Sequence, residues 1–223
     1  ILYALFTNGR LTKSREENIK INEIYTPSVE YIRELYTKIS DSRMLIKSWV
    51  HIDKISSTPD KIKLQDFHSK DYPALIDSLY KLSKDGTSDS HKVMLQNIDI
   101  TIKDTLFPKH EYIMSQLSSF ELYEDPFVIF EATSMVEDRG EVMEATAKTL
   151  AKINELLVDQ ENFIISKRDD MAASFDKIRN FNFIMLFVLI LVAVIVSTIL
   201  TMSLSTPINR TKNMLLSISR GIL

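Results

Sequence analysis

Residues 183–204 read FIMLFVLILVAVIVSTILTMSL, and no charged side chain interrupts the longer stretch from Phe181 to Asn209. An α-helix rises about 1.5 Å per residue, so this stretch reaches the thickness of a bilayer's hydrocarbon core, roughly 30 Å. A helix in the core of a soluble protein seldom stays apolar on every face over such a length. We therefore assign residues 181–205 to a transmembrane helix that contacts the lipid bilayer.

The composition of the 223 residues predicts an all-α protein. Only four glycines and six scattered prolines are present, and sheet proteins need more turn residues than this. The formal charge of −3 leaves no strongly basic face, which argues against nucleic acid as a partner. The lack of cysteine excludes disulfides and thiolate metal sites.

Start and stop signals divide the region before the apolar run into four helices. Residues 58–60, TPD, and residues 125–126, DP, are typical of helix starts, whereas residues 84–88, KDGTS, end one helix and cap the next. Pro73 should kink or split the second helix and Pro108 should bend the third, because proline removes a backbone donor. The predicted helices cover about residues 13–56, 59–83, 88–123 and 125 onward.

The fourth predicted helix has no strong breaker before Pro207, because a single glycine, Gly140, costs only about 1 kcal/mol within a helix. Residues at spacings of three and four along this helix predict a coiled-coil seam. We expect the seam to enter the apolar run and to pass displacements to it, with Phe175 and Ile178 as relay residues. The predicted seam consists of Val136, Gly140, Met143, Ala147, Leu150, Asn154, Leu157, Glu161, Ile164, Arg168, Met171, Phe175 and Ile178.

The lengths of the four helices predict their arrangement. At about 1.5 Å per residue, the first and fourth helices are much longer than the second. Residues 10–180 should therefore form an up-down-up-down four-helix bundle, from which the long first and fourth helices extend as a stalk. Polar seam members Asn154, Glu161 and Arg168 favour a second copy of the chain as the partner of this stalk, so we predict a parallel homodimer.

The segment after the apolar run has a recognisable pattern. In residues 206–223, Pro207 is followed by a short heptad seam and then by Gly221. The pattern resembles the first helix of a HAMP linker, although Thr211 departs from the aliphatic residue that is usual at its seam position. The resemblance assigns a role in signal relay to Pro207, Ile208, Leu215, Ile218 and Gly221.

The apolar residues at the start of the chain, ILYALF, are too few to span a membrane. We interpret residues 1–9 as the end of an earlier membrane helix rather than as an ordinary hydrophobic start. We also expect both ends of the chain to be cuts in a longer protein.

The order of these segments resembles that of bacterial transmembrane receptors of the chemoreceptor and sensor histidine kinase type. Residues 42–53, SRMLIKSWVHID, and 59–82, PDKIKLQDFHSKDYPALIDSLYKL, are similar to the first hairpin of such bundle sensors. The resemblance implies that residues 10–180 sense an extracytoplasmic stimulus and that the chain relays it to a cytoplasmic output domain beyond residue 223. A structural or partner-docking membrane-anchored ectodomain is the alternative function.

The orientation in the membrane also follows from the resemblance. Four positive residues precede the apolar run and three follow it, so the positive-inside rule does not decide the direction. The likeness to receptors of the bacterial inner membrane implies a cytoplasmic C-terminus.

No motif for phosphate binding, nucleophilic catalysis or paired metal ligands is present, so we predict neither an enzyme nor a cofactor. The histidines are His51, His68, His91 and His110. His51 and His68 flank the first turn, so a metal site between them is one alternative, but we favour surface positions for the histidines.

Arg43 and Arg139 are candidate ligand-binding residues, because they lie at similar distances from the distal ends of their predicted helices. Two guanidinium groups at one height can bind a small carboxylate or phosphate through paired hydrogen bonds. The alternative that we favour is pairing with nearby acids, namely Asp41, Glu137, Asp138 and Glu141. Trp49 is a candidate pocket residue, but we favour a place in the core for it. The candidate partners of the ectodomain are thus a small anionic ligand and, as the alternative, a periplasmic binding protein.

Overall fold

The computed structural model describes the backbone of residues 2–55, 57–84 and 88–219, and the side chains of these residues except 2–6, 217 and 218. Helix is the only regular secondary structure in the described residues, which confirms the prediction of an all-α protein. The chain divides into two compact units. One unit contains the described part of residues 12–170, and the other contains the described parts of residues 1–11 and 171–223.

Nine α-helices and three π turns make up the described residues. Each π turn joins two α-helices without a loop. In chain order the elements are α1 (Leu2–Lys20), a first π turn (Ile21–Tyr25), α2 (Thr26–His51), α3 (Pro59–Asp66), a second π turn (Phe67–Asp71), α4 (Tyr72–Lys84), α5 (Asp89–Thr101), a third π turn (Ile102–Leu106), α6 (Phe107–Gln116), α7 (Phe120–Tyr123), α8 (Pro126–Val136) and α9 (Glu141–Ser219).

Each π turn ends two residues before a proline. Pro27, Pro73 and Pro108 are the second residues of α2, α4 and α6, the helices that follow the three turns. Proline has no N–H to donate, and its ring collides with the carbonyl one turn earlier in an α-helix. The wider π turn moves that carbonyl away, so the chain stays helical where sequence predicted a kink or a split at Pro73 and a bend at Pro108.

The predicted fourth helix is divided, which corrects the sequence-based expectation. Helix α8 ends at Val136, and α9 begins at Glu141 after a turn in which the N–H of Gly140 donates to the carbonyl of Glu137 at 2.8 Å. A Cβ atom at Gly140 would collide with the backbone carbonyls of Ser134 and Met135. This glycine therefore serves a close approach of two backbone segments, and Pro207, the expected breaker, lies inside α9.

The other predicted boundaries also move. The first predicted helix ends at His51 rather than at residue 56, because the N–H groups of Ile52 and Asp53 both donate to the carbonyl of Ser48, each at 2.9 Å. The third ends at Gln116, and the short helix α7 follows it.

The core of the 12–170 unit surrounds α2, which contacts α3, α4, α6 and α8. Helix α9 contributes a buried stripe with members at Val142, Thr146, Thr149, Ile153, Leu156 and Gln160. The predicted seam of the fourth helix does not follow this stripe, since Ala147, Asn154 and Arg168 are exposed.

Buried hydroxyl groups explain the shift in register. The Oγ1 atoms of Thr146 and Thr149 donate to the carbonyls of Val142 and Ala145 at 2.7 and 2.8 Å. A hydroxyl that is satisfied within its own helix can occupy a core position at little cost. The buried face of α9 therefore contains polar residues. A search for apolar residues alone predicts that the neighbouring face is buried.

Candidate functional site

The candidate anion-binding residues Arg43 and Arg139 are both exposed. Among the described residues, neither arginine forms an ion pair, and no hydrogen bond or shared carboxylate joins them. Two acids named as alternative partners bind lysines instead. Asp138 pairs with Lys47 at 3.2 Å, and Glu141 pairs with Lys109.

Trp49 lies in the core with 4% of its surface exposed. Its indole N–H donates to the carbonyl of Leu117 at 3.4 Å, and its own carbonyl accepts a 2.7 Å hydrogen bond from the hydroxyl of Tyr123. The Nζ atom of Lys61 lies 4.6 Å from the Trp49 ring centroid and 3.0 Å from the Tyr123 hydroxyl oxygen. Trp49, which was a candidate pocket residue, is therefore part of a buried aromatic cluster that surrounds Lys61.

The sequence does not mark Lys61 as a core residue, although it is only 2% exposed. Burial lowers the pKa of Lys61, and the nearby carboxylate of Asp53 opposes this effect. Aromatic faces stabilise a cation in a site that lacks water. Lys61 is polar and lies one residue before an exposed isoleucine, so no local signal marks it as buried.

A buried carboxylate joins α4 to α5. The oxygens of Asp99 accept hydrogen bonds from the hydroxyls of Tyr72 at 2.5 Å and Tyr80 at 2.9 Å, and the Nζ atom of Lys103 lies 2.9 Å away. Burial opposes ionisation of Asp99, but these donors outweigh it and lower its pKa. Burial and the same carboxylate raise the pKa of Tyr80 to about 12. This cluster contains matched donors and acceptors, so it is a structural junction.

A pair of imidazoles lies between the second π turn and α6. His68 Nε2 is 3.1 Å from His110 Nδ1, and the Phe107 ring stacks on His68 with centroids 3.9 Å apart. The remaining ring nitrogens are buried and have no hydrogen-bond partner, although the carboxylate of Glu111 lies 3.9 Å from His68 Nδ1. Burial lowers the pKa of His68 to about 4. Burial and the neighbouring His68 lower the pKa of His110 to about 3.

The preference for surface histidines is therefore wrong for three of the four. His91 and His110 are 5% and 0% exposed, the side chain of His68 is 9% exposed, and His51 alone among the four is exposed. The contact of His68 is with His110 rather than with His51, its partner in the alternative metal site. In the described part of the chain, no group of three or more histidine or acidic side chains is arranged to hold a metal ion.

Helix α9 packs in the 12–170 unit through polar contacts as well as its buried stripe. Asp159 Oδ2 lies 2.7 Å from Nε2 of His91 on α5, and Glu161 Oε1 lies 2.5 Å from the guanidinium of Arg33 on α2. Beside Asp159, the amide nitrogen of Gln160 is buried and lacks a protein partner, as does Nδ1 of His91. Both residues line a void of about 20 Å³, which has room for about one water molecule.

The predicted relay residues fall in the second unit. Ile178 is 8% exposed, whereas Phe175 is 48% exposed. Beyond the apolar run, Pro207 lies within α9, and Ile208 and Leu215 are 64% and 62% exposed. The side chain of Ile218 and all of Gly221 lie outside the described residues.

The apolar run itself forms part of α9 and has the length and composition needed to cross a membrane. An 18-residue window within this helical region has a mean hydropathy of 3.2, and none of its residues is buried. All side chains of residues 183–204 are exposed except Met185, which is half-buried. An apolar surface on all faces fits a lipid environment.

Comparisons with known proteins found no relative: no protein-family model, no curated protein and no solved structure matches this chain.

Proposed function

We propose that this chain is the input module of a transmembrane signal-transduction receptor. Its helical region would respond to an extracytoplasmic stimulus, and α9 would relay the response through the membrane to an output domain. The observation that carries the proposal is the continuity of α9, which runs from Glu141 to Ser219 without a break. One helix thus contains a buried packing stripe, an apolar run and a polar tail.

The contacts of α9 support a relay role. Its stripe includes Thr146, Thr149 and Gln160, and its flanks bind His91 and Arg33 through single polar contacts. A packed helix can change between discrete arrangements by shifts of about 1–2 Å. Contacts between single polar side chains can be exchanged in such a shift at lower cost than a fully apolar seam.

The proposed architecture follows the sequence analysis. Residues 10–180 would be an extracytoplasmic up-down-up-down bundle, 181–205 the span and 206–223 the start of a HAMP-like linker in the cytoplasm of a bacterium. The exposed apolar side chains of Ile208, Leu215 and Phe175 support a parallel homodimer, because a second α9 would remove them from water.

Cysteine crosslinking tests this proposal, because the natural chain has no cysteine. Phe175→Cys and the matched Lys177→Cys lie about 200° apart around α9 and should be compared in membrane vesicles. We expect oxidation to crosslink Phe175→Cys into a dimer and Lys177→Cys far less. In the full receptor, the Phe175 crosslink should hold the output in one state. Equal crosslinking at both positions, or an output that the crosslink does not change, would contradict the proposal.

A second candidate function is partner docking by an ectodomain that senses no small molecule. The observation that favours it lies on α8, where Phe127 and Phe130 are 85% and 75% exposed one helical turn apart. Large exposed aromatic side chains are typical of protein interfaces. If docking is the function, the double variant Phe127→Ser, Phe130→Ser should abolish capture of the partner. If the chain instead senses a small molecule, the same variant should affect the response only where that response depends on docking.

A further inference from the structure

A cleft of about 730 Å³ lies between α2 and the segment made of α3 and the second π turn. Its volume is in the range of sites that bind small organic molecules. Neither Arg43, Arg139 nor Trp49 lines it. The lining consists of Lys38, Asp41, Met44, Leu45, Lys47, Ser48, His51, Ile52, Asp60, Lys63, Asp66, Phe67 and Asp71.

The cleft contains apolar side chains that are exposed to water. Phe67 is 3% exposed and Leu45 is half-buried, so they belong to the packed wall. Met44 and Ile52 are 69% and 74% exposed. Covering such side chains with an apolar ligand removes apolar surface from water and so favours binding. The cleft therefore offers an apolar surface to the body of a ligand.

The lysines of the cleft are already paired. Lys38 lies 2.6 Å from Asp71, Lys47 lies 3.2 Å from Asp138 and Lys63 lies 3.8 Å from Asp60.

The acids of the cleft are less completely matched than its lysines. Asp66 is held by Lys70, at 2.7 Å. Asp41, an exposed residue on α2, has neither an ion pair nor a hydrogen bond in the described part of the chain. The charge without a direct partner in the cleft is therefore a carboxylate.

Negative charge accumulates at the Lys38 end of the cleft. The hydrogen bond to Asp71 raises the pKa of Lys38, and the carboxylates of Asp71, Glu34 and Asp41 add to this effect while burial opposes it. Three carboxylates thus act on one ammonium group, and a second cation would be attracted there.

We propose that the cleft binds an organic amine, with its ammonium group beside Asp41 and its apolar body over Met44. This charge is opposite to that of the anion predicted for Arg43 and Arg139. The site would supply the stimulus of the proposed receptor, so its role in signalling rests on the proposed function, whereas binding itself does not.

Protection of an introduced cysteine tests the site in the whole chain in lipid nanodiscs. The probes are 4-phenylbutylammonium, 4-phenylbutyrate and 4-phenylbutanol, which share one apolar body and differ in the head group. We expect the ammonium probe to slow alkylation of Met44→Cys by N-ethylmaleimide at least about fivefold, and the other two probes to have little effect at the same concentration. Val93→Cys, on an exposed site of α5 outside the cleft, should react at an unchanged rate with every probe.

A charge variant identifies the head-group contact. Asp41→Asn should raise the half-protecting concentration of the ammonium probe by about three- to fivefold, as expected for an exposed ion pair. The matched variant Glu30→Gln removes an exposed carboxylate from the same helix outside the cleft and should leave that concentration unchanged. Partition of the probe into lipid affects both variants equally.

The outcomes separate the site from the proposed function. Equal protection by all three probes, no protection by the ammonium probe, or equal effects of Asp41→Asn and Glu30→Gln would overturn the amine site and leave the receptor proposal standing. Protection that requires Asp41, together with a Phe175 crosslinking rate that the probe does not alter, would support the site and count against its use in signalling.

Discussion

Two stretches of α9 use hydrophobic side chains in different ways. In residues 142–164, buried positions alternate with exposed ones at helical spacing, whereas in residues 183–204 almost every side chain is exposed and apolar. A single buried stripe requires protein neighbours, because polar residues cover the opposite face. An apolar surface on all faces suits a lipid environment. The two stretches of the same helix therefore suit different surroundings.

Hydroxyl residues behave alike in both stretches. Thr146 and Thr149 donate to the carbonyl four residues earlier, and so do Thr198 and Thr201, at 2.7 and 2.8 Å. Water is absent from a protein core and from a bilayer core, so a polar group must find its partner within the structure in each case. The difference between the stretches thus lies in their apolar and charged residues rather than in their hydroxyl groups.

The largest effect of a single substitution should come from a cavity in the first stretch. Ile153→Ala should lower the free energy of unfolding of the 12–170 unit by about 2 to 5 kcal/mol, because Ile153 is fully buried and its neighbours cannot fill the space. Ile190→Ala changes the same residue type at a site that is 56% exposed and should leave that free energy nearly unchanged. Urea unfolding in nanodiscs, followed by circular dichroism, measures both. Equal losses would remove the distinction between the stretches.

Insertion into the membrane should show the reverse sensitivity. Val194→Arg places a charge within the apolar run and should cost about 2.5 to 3.5 kcal/mol of insertion free energy. Val158→Arg makes the same change at another exposed valine of α9, 47% rather than 59% exposed, and should not affect insertion. The fraction that resists extraction by alkaline carbonate measures this. A Val194→Arg chain that stays as firmly in the membrane as the Val158→Arg chain would contradict the assignment of the span.

The glycines of the two units should respond in opposite directions. Gly140→Ala should lower the free energy of unfolding by about 1 to 3 kcal/mol, since its Cβ would meet backbone carbonyls that cannot move freely. Gly9→Ala lies within α1 where no atom is within 4 Å of the new Cβ, so it should stabilise the helix by up to about 1 kcal/mol. Thermal unfolding of the two variants tests the signs. Destabilisation of equal size by both would show that the turn at Gly140 is not tight.

A pH dependence, which is not the effect of a substitution, belongs to the 12–170 unit, because the apolar run has no titratable side chain. The folded-state pKa values of His68 and His110 are lowered, so the unfolded chain binds protons below about pH 6.5 that the folded chain does not. Stability should be constant with respect to these groups above that pH. It should fall as the pH drops from about 6.5 toward 4, by at most about 1.4 kcal/mol per pH unit for each imidazole.

Histidine variants assign this pH dependence. His110→Gln should reduce the slope of unfolding free energy against pH in this window by about half, even if it also lowers stability at every pH. His51→Gln changes an exposed histidine and should keep the slope. Unfolding midpoints measured between about pH 4.5 and about pH 6.5 test this. An unchanged slope in His110→Gln would show that the imidazole pair is protonated in the folded protein.

Sequence predicted the features that depend on short stretches of chain. The starts of α3 at Pro59 and α8 at Pro126 agree with the structure, because a proline at the first helical position is a local signal, to which Asp125 adds a cap for α8. The sequence did not predict that the distortions before Pro27, Pro73 and Pro108 would be π turns, since an α-helix can respond to proline by a kink, a break or a wider turn. Which response occurs depends on packing around the turn.

By itself, the sequence determined the helical class and the apolar run, because composition and helical rise are local properties. Only the tertiary structure decided which polar groups meet. Lys61 and Tyr123 are 62 residues apart, and His68 and His110 are 42 apart. Such pairs form when helices pack, and burial then changes what the groups can do, so no pattern within one helix contains the information that joins them.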